Sequence, residues 1–313
     1  MLRFIIRRLL LLVPVLVGLS VLLFIWVRAL PGDPARALLG EKATPESIAE
    51  VNAAYGFDKP LVQQYLTYTS RLIRGDFGSS PRTGLPVLET FQERFPATVE
   101  LAISALLFAI VLGIPIGYLA AKRAGGWVDR TFVATSLLGV VVPVFVLAYL
   151  LIWLVSLKLG WLPVQGYKRL ADGAGAWFEH LLLPSITLSV IYVALLARVT
   201  RASVLETLGE DYIRTARAKG LPESAVLVRH ALANAAVPIL TVIGIGIALL
   251  IGGVVVTESV YAIPGLGRLT VDAVLARDFP TIQGVILLFS FVYVLVNMLV
   301  DVSYVFFDPR VRY

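Results

Sequence analysis

LAISALLFAIVLGIPIGYLAA, Leu101 to Ala121, runs for twenty-one residues without a charge. A helix needs about 20 residues to cross the roughly 30 Å hydrocarbon core of a bilayer. No water is available there to satisfy the backbone of a loop or an open strand. The stretch therefore reads as a membrane-crossing helix. It is apolar on every side, which excludes the alternating lipid-facing and lumen-facing strands of a barrel. Gly113 and Gly117, with Pro115 between them, give it a small face for close helix packing.

The quoted stretch sits in a run of about 97–121, and five more runs of comparable length occupy about 9–27, 131–157, 181–200, 237–261 and 282–307. Gly244, Gly246, Gly252 and Gly253 give the fifth run a small face like that of the second. The whole chain is 58% hydrophobic and 15% charged, with a mean hydropathy of +0.85, far from the composition of a soluble domain. The fold class is all-α integral membrane, with six transmembrane helices. Cysteine is absent, which excludes disulfides and thiolate metal sites and leaves the redox compartment open. The first run follows Arg3, Arg7 and Arg8 but exceeds a signal-peptide h-region and lacks a small-x-small cleavage site, so it is expected to anchor.

Six spans put both termini on one side, and lysine and arginine decide which. A cytoplasmic N-terminus places Arg3, Arg7, Arg8, Lys122, Arg123, Arg130 and the cluster Arg198, Arg201, Arg214, Arg217, Lys219 and Arg229 in short inner segments with few acids. The other side holds acids such as Asp33, Glu41, Glu46, Glu50, Asp58 and Asp76 among its bases. Both termini are therefore expected in the cytoplasm. The pI of 9.6 then reflects membrane orientation; a nucleic-acid partner, which would need the bases on one soluble face, is not expected. The expected organisation is an N-terminal membrane helix in 1–30, an external domain in 31–96, a five-helix core in 97–308 with a cytoplasmic loop in 198–236, and a tail in 309–313.

The external stretch is too long for a plain connector. Thr44 before Pro45 and Glu46 reads as an N-cap with proline in the first turn, and Gly56 as that helix's stop. Asp58 and Pro60 open a second helix to about Arg74, and GDFGSS, Gly75 to Ser80, ends it. The domain is either a solvated cap or a docking surface for an external partner.

The inner segment contains DYIRTARAKGL, Asp211 to Leu221. An acid opens this helix, a lysine closes it, and Gly220 followed by Pro222 stops it. A second helical run, Glu223 to about Ala236, leads back to the membrane. At helical spacing Ile213, Ala216 and Gly220 share one narrow, small-residue face, flanked by Arg214 and Arg217, that would let a partner's groove approach the backbone. The other reading of a basic helix, adsorption to anionic lipid, is weakened by the lack of Trp, Phe or Leu before Leu221.

This helix resembles the coupling helix, or EAA loop, of inner-membrane permease subunits of binding-protein-dependent ABC importers. The family pattern is E-A-A, three residues, Gly, nine residues, then I-x-L-P; Ala216, Gly220 and Leu232 match it, while Arg214, Thr215, His230 and Ala233 depart from it. DYIRTARAKGL with RHALANAAVP is similar to the version in the dipeptide and oligopeptide branch. So are LRFIIRRLLLLVPVLVGLSVLLF, PGDPA at Pro31 to Ala35, GDFGSS, TESVYAIPGLGRL at Thr257 to Leu269 and the terminal DPRVRY. The resemblance covers essentially the whole chain and is to the B-type permease. It implies a type I ABC importer transmembrane fold in the bacterial cytoplasmic (inner) membrane. It also implies a second, related permease subunit forming a heterodimer, two ATPase subunits holding ATP and Mg, and an external substrate-binding protein. On this resemblance Asp211, Tyr212, Ile213, Arg214, Thr215, Ala216, Arg217, Ala218, Lys219 and Gly220 form the ATPase contact.

The sequence has no G-x-x-x-x-G-K-[ST], no dinucleotide fingerprint and no HExxH, so neither catalysis nor a cofactor is expected in this chain. Lone His180 and His230 give no metal site. Glu100, Glu258 and Asp301 fall within or near spans, where ionisable groups either serve a pathway or bond neighbouring helices. Pro264, Gly265 and Gly267, in AIPGLG at Ala262 to Gly267, form either an external gate or an ordinary loop. Arg198 and Arg201 read as interfacial anchors. The leading function is translocation of di- or oligopeptides driven by partner ATPases. Alternatives are import of nickel or another small solute by the same family, and a secondary transporter, which should show internal repeats and ionisable groups at the bilayer midplane.

Single substitutions Ser79→Cys and Ser224→Cys in this cysteine-free chain test the orientation. An impermeant maleimide added to intact cells is expected to label the first and spare the second. The reverse pattern inverts the topology.

Overall fold

Among the described residues of a computed structural model, namely 2–29, 34–39, 43–55 and 58–307, every regular element is helical, and the sole β-type pairing is a bridge between Ser79 and Pro86. The helices are α1 Leu2–Ala29, α2 Pro34–Leu39, α3 Pro45–Tyr55, α4 Leu61–Ile73, α5 Val87–Lys122, α6 Trp127–Val141 and α7 Val144–Leu151. They continue with α8 Ala174–Leu208, α9 Asp211–Ala218, α10 Glu223–Ala225, α11 Ala236–Val260, α12 Leu266–Leu275 and α13 Phe279–Phe307. The opening stretch lies wholly on α5, whose 36 residues extend roughly 54 Å at 1.5 Å per residue, well beyond the hydrocarbon thickness.

The run at 131–157, expected as one span, is two helices. α6 ends at Val141 and α7 starts after Pro143, continuing as a π-helical turn over Ile152–Lys158. Pro143 has no N–H to offer the preceding turn, and its ring drives Val142 out of the helical region. Sequence hydropathy alone does not register such a break.

The helix starts at Thr44–Pro45 and at Pro60 and the stop at Arg74 fall where the sequence put them. Thr44 and Ser47 cap α3 reciprocally: the Ser47 N–H donates to Thr44 Oγ1 at 3.2 Å and the Thr44 N–H donates to Ser47 Oγ at 2.9 Å. α4 follows Pro60 and ends at Arg74. α2 adds a helical turn that the sequence reading did not place. Gly56, the PGD of PGDPA and the terminal DPRVRY lie outside the described residues.

The chain divides into two compact units. One comprises α1 to α4, the start of α5, α12 and α13 as far as Leu299. Its small cores are Val27, Ala273, Phe279 and Ile282, and Val87, Phe91, Leu266 and Val285. GDFGSS is tied into this unit. Ser80 Oγ donates to Asp278 at 2.5 Å, while Asp278 also accepts from the Thr281 N–H at 3.2 Å at the start of α13.

The other unit holds the rest of α5 with α6 to α11, and α8 runs through it flanked by α6, α7 and α11. α8 meets α11 at Tyr192 and Gly246. A Cβ on Gly246 would lie 1.6 Å from Tyr192 Cζ, so the ring fills the space any larger residue would need. The phenol donates to the backbone oxygens of Val242 (2.5 Å) and Ile243 (2.9 Å).

Gly246→Ala is therefore expected to destabilise the protein by about 1–3 kcal/mol through overpacking. Tyr192→Phe, which keeps the ring and loses the hydroxyl, should cost about 0.5–1.5 kcal/mol. Thermal unfolding midpoints of the purified protein in detergent check the order; an unchanged midpoint for Gly246→Ala would overturn the packing.

Candidate functional site

Helix α9 has well-defined ends. Glu210 precedes it with extended backbone, φ −72° and ψ 148°, and Asp211 occupies the first turn, where the helix dipole favours an acid. At the other end Gly220 takes φ +76°, a left-handed conformation that glycine adopts without strain. The Leu221 N–H then reaches Ala216 O at 3.4 Å and the Gly220 N–H reaches Arg217 O at 2.9 Å, the paired bonds of a Schellman stop. Pro222 follows and ends the helical path.

The structure corrects which face of α9 looks outward. Ile213 and Ala216, expected to meet a partner's groove, are 0% and 7% exposed and pack into this chain's own core with Leu196, Val204, Val226 and Ile239. An apolar pair on an otherwise polar helix is buried by the nearest apolar surface, here α8 and the segment leading to α11. Asp211, Tyr212, Arg214, Thr215, Arg217, Ala218, Lys219 and Gly220 are exposed. Opposite Ile213 and Ala216, the outward face is centred on Asp211, Thr215 and Ala218, with Ala218 its smallest member. Arg217 does not stand free beside that face: its guanidinium donates to Glu223 at 2.7 and 3.1 Å and holds that carboxyl below the usual carboxylate range.

The run from Glu223 is helical as expected but is not one straight α-helix. Three residues of α10 pass into a π-helical segment, Val226–Leu232, and the axis then bends by 54° into α11. Pro238, in the first turn of α11, withholds an N–H from the turn before it. Asn234 Nδ2 donates to His230 O at 2.6 Å at the bend.

A second tie was invisible in the sequence. Arg201, expected as an interfacial anchor, forms a two-pronged ion pair with Asp129, Nε to Oδ1 at 2.5 Å and Nη2 to Oδ2 at 2.7 Å. The Gly125 N–H also donates to Asp129 at 2.9 Å. The Arg201 guanidinium first, and the Gly125 N–H second, hold the Asp129 carboxyl below the usual carboxylate range. The pair joins the start of α6 to α8 across 72 positions of sequence. The only hint in the sequence is an acid placed just ahead of an apolar run.

The acids considered for a pathway are engaged between helices. Glu258 is 0% exposed and accepts from Thr98 Oγ1 at 2.6 Å, joining α11 to α5. Glu100 accepts from Tyr167 at 2.9 Å and from Trp177 Nε1 at 2.8 Å. Nearby, the Tyr261 and Thr187 hydroxyls meet at 2.7 Å and Gln165 Nε2 donates to Val260 O at 2.7 Å. These partners were missed because each is remote in sequence. In AIPGLG, Pro264 is half-buried, Gly265 is the N-cap of α12 and Gly267 lies inside that helix, so the stretch is a junction between helices. Asp301 lies on α13, and its side chain is outside the described residues. No group of His, Cys, Asp and Glu suited to a metal occurs among the described residues.

Residues 113–313 match the family described as "Binding-protein-dependent transport system inner membrane component", and residues 1–102 match its N-terminal companion. A probable peptide ABC transporter permease protein of Sinorhizobium fredii is 47% identical over 99% of this chain and 99% of its own. The dipeptide transport system permease protein of Escherichia coli is 42% identical over 100% of this chain and 99% of its own. The glutathione transport system permease protein of the same organism is 43% identical over the full length of both. A solved structure of the MetNI methionine ABC transporter, in inward-facing conformations, aligns with a TM-score of 0.59 and 18% identity over 71% of this chain and 97% of its own. At that identity it shows the fold alone, that of a type I importer transmembrane domain.

The Asp129–Arg201 pair generates a pH prediction. Its folded-state carboxyl titrates below the unfolded value, so its stabilisation is present above the ordinary carboxylate range and lost as pH falls through the depressed value. Asp129→Asn is expected to lower stability at neutral pH by on the order of 2 kcal/mol, and the gap to the parent should narrow on acidification. Unfolding midpoints in detergent at neutral and acid pH check this, and a gap that does not narrow would remove the pair from the stabilising interactions.

Proposed function

The chain belongs to the family of binding-protein-dependent transport system inner membrane components, and from that premise we propose that it is a transmembrane subunit of an ATP-driven importer of di- or oligopeptides. The observation that carries the reading is α9: a short polar helix clamped by Ile213 and Ala216 to its own chain, with an open outward face centred on a small residue. Such a helix is built to be pushed as part of a rigid body. The peptide assignment draws on the printed activities of the similar permeases, named for peptide, dipeptide and glutathione transport.

In the proposed mechanism both termini and α9 face the cytoplasm, where α9 seats in one of two ATPase subunits that hold the ATP and Mg. Closure of those subunits displaces α9. Because Ile213 and Ala216 share a core with Leu196 on α8 and Ile239 on α11, and Asp129 ties α6 to α8, the displacement reaches the membrane helices without a flexible joint. A second, related permease subunit completes the pathway, and an external binding protein delivers the peptide. Alternating access then follows from moving packed helices between two arrangements.

Proteoliposomes holding the full complex test this. Peptide uptake is expected to require ATP and the binding protein, and Ala218→Trp should abolish co-purification of the ATPases while leaving membrane insertion intact. Peptide uptake driven by a proton gradient without ATP would overturn the importer reading. Uptake of nickel without peptide would overturn only the substrate. Normal ATPase capture by Ala218→Trp would overturn the docking face.

A further inference from the structure

Helix α4 carries an apolar stripe that the other described residues leave open. Val62, Leu66 and Ile73 are 71%, 62% and 82% exposed, and at 100° per residue they fall within about 40° of one another. Gln64, Tyr65 and Tyr68 face α1 instead, while Gln63, Thr67 and Ser70 share the remaining, polar side. The helix thus has three sectors, and only one of them is used in packing.

Contacts along α1 orient those sectors. Arg28, in the last turn of α1 and at the end of its apolar window Leu10–Ala29, donates through Nε to Gln64 Oε1 at 2.8 Å. One turn deeper, the Phe24 ring lies 5.9 Å from Tyr68 and 5.2 Å edge-on from Tyr65. Deeper still, Ser20 shares a 2.9 Å hydrogen bond with the Tyr65 hydroxyl. Passing around α4 from Gln64 through Tyr68 to Tyr65 therefore descends roughly 12 Å along α1 toward the membrane interior. The next sector in that same sense is Val62, Leu66 and Ile73; the next in the opposite sense is the polar one.

We propose that α4 is an interfacial helix lying on the bilayer surface beside α1, with Val62, Leu66 and Ile73 inserted at the boundary between headgroups and acyl chains. On the face of α1 that bears these contacts, one and two turns beyond Ser20 toward the membrane interior, Val17 and Val13 are likewise exposed. Arg71 and Arg74 project from other sides of the helix, where long cationic side chains reach the headgroups. Tyr65 and Tyr68 sit at the depth where amphipathic rings are enriched. The occupant of the stripe is lipid, because its direction is fixed by the contacts to a membrane-crossing helix. The proposal rests on the membrane embedding of α1 and not on which solute the complex moves.

Spin labels on single cysteines test it in the assembled complex, in vesicles of phosphatidylethanolamine and phosphatidylglycerol, since the chain has no cysteine of its own. Labels at Val62→Cys, Leu66→Cys and Ile73→Cys are expected to collide several-fold more with oxygen than with chromium oxalate. Labels at Gln63→Cys, Thr67→Cys and Ser70→Cys should show the reverse. Equal chromium oxalate access at all six positions would place the stripe in water and overturn the proposal. So would a stripe open to chromium oxalate that becomes protected only when the external binding protein is added, because its occupant would then be protein. No transport is read, so either result leaves the importer reading standing on its own test.

Discussion

In hydrocarbon, a backbone N–H or C=O without a partner costs several kcal/mol, and this single constraint shapes the chain more than any side-chain contact. It makes uninterrupted helices obligatory for runs such as Leu101 to Ala121, and it decides where helices are allowed to fail. The ladder is interrupted at Pro143 and again where the axis turns near Pro238. At the second place Asn234 supplies a side-chain donor to His230 O. Tyr192 sends its hydroxyl to two carbonyl oxygens of α11, a contact that is possible because Gly246 leaves the helix surface bare. Helix packing and helix irregularity are thus two responses to the same requirement.

In the proposed mechanism the same unit would use that rigidity as a lever. α8 and α11 run between a polar cluster at Glu258, Thr98, Tyr261 and Thr187 and the apolar core that seats α9. Neither is joined to the α9 core by a loose linker: the segment before α11 is itself π-helical, Val226–Leu232. The surface ion pair between Arg217 and Glu223 adds little stability, being exposed on both sides. Its effect is positional, fixing the last turn of α9 against α10. The Asp129–Arg201 pair, with its carboxylate side chain only 6% exposed, is a stronger tie and draws α6 into the same body.

What the sequence disclosed, and what it hid, follows the range of the interactions involved. Local chemistry was legible: the Thr44 cap, the stop at Gly220 and Pro222, and the apolar length of the helices are each written within a few residues. Interactions across long sequence separations were not. Asp129 and Arg201 lie 72 positions apart and Ser80 and Asp278 lie 198 apart, and no pattern in a single chain links them. The orientation of α9 was misread for a different reason. Ile213, Ala216 and Gly220 do share a face, but a small apolar face is satisfied equally well by a partner or by the chain itself, and only packing decides. The split of the 131–157 run was missed because hydropathy sums over Pro143 without registering the donor it lacks.

The engagement of Glu100 and Glu258 bears on where selectivity arises. A carboxylate that recognises a peptide amine must be able to exchange one partner for another, yet both of these already accept bonds from side chains of neighbouring segments: Tyr167 and Trp177 for Glu100, and Thr98 for the fully buried Glu258. Withdrawing Glu258 from Thr98 would give up a buried hydrogen bond, at a cost of about 1–3 kcal/mol that a solute in transit would have to offset on every passage. A pathway wall that passes many peptides benefits from the opposite property, namely weak and uniform contact. In this structure these acids act as fasteners between neighbouring segments. Under the proposed function, discrimination would then rest with the external binding protein.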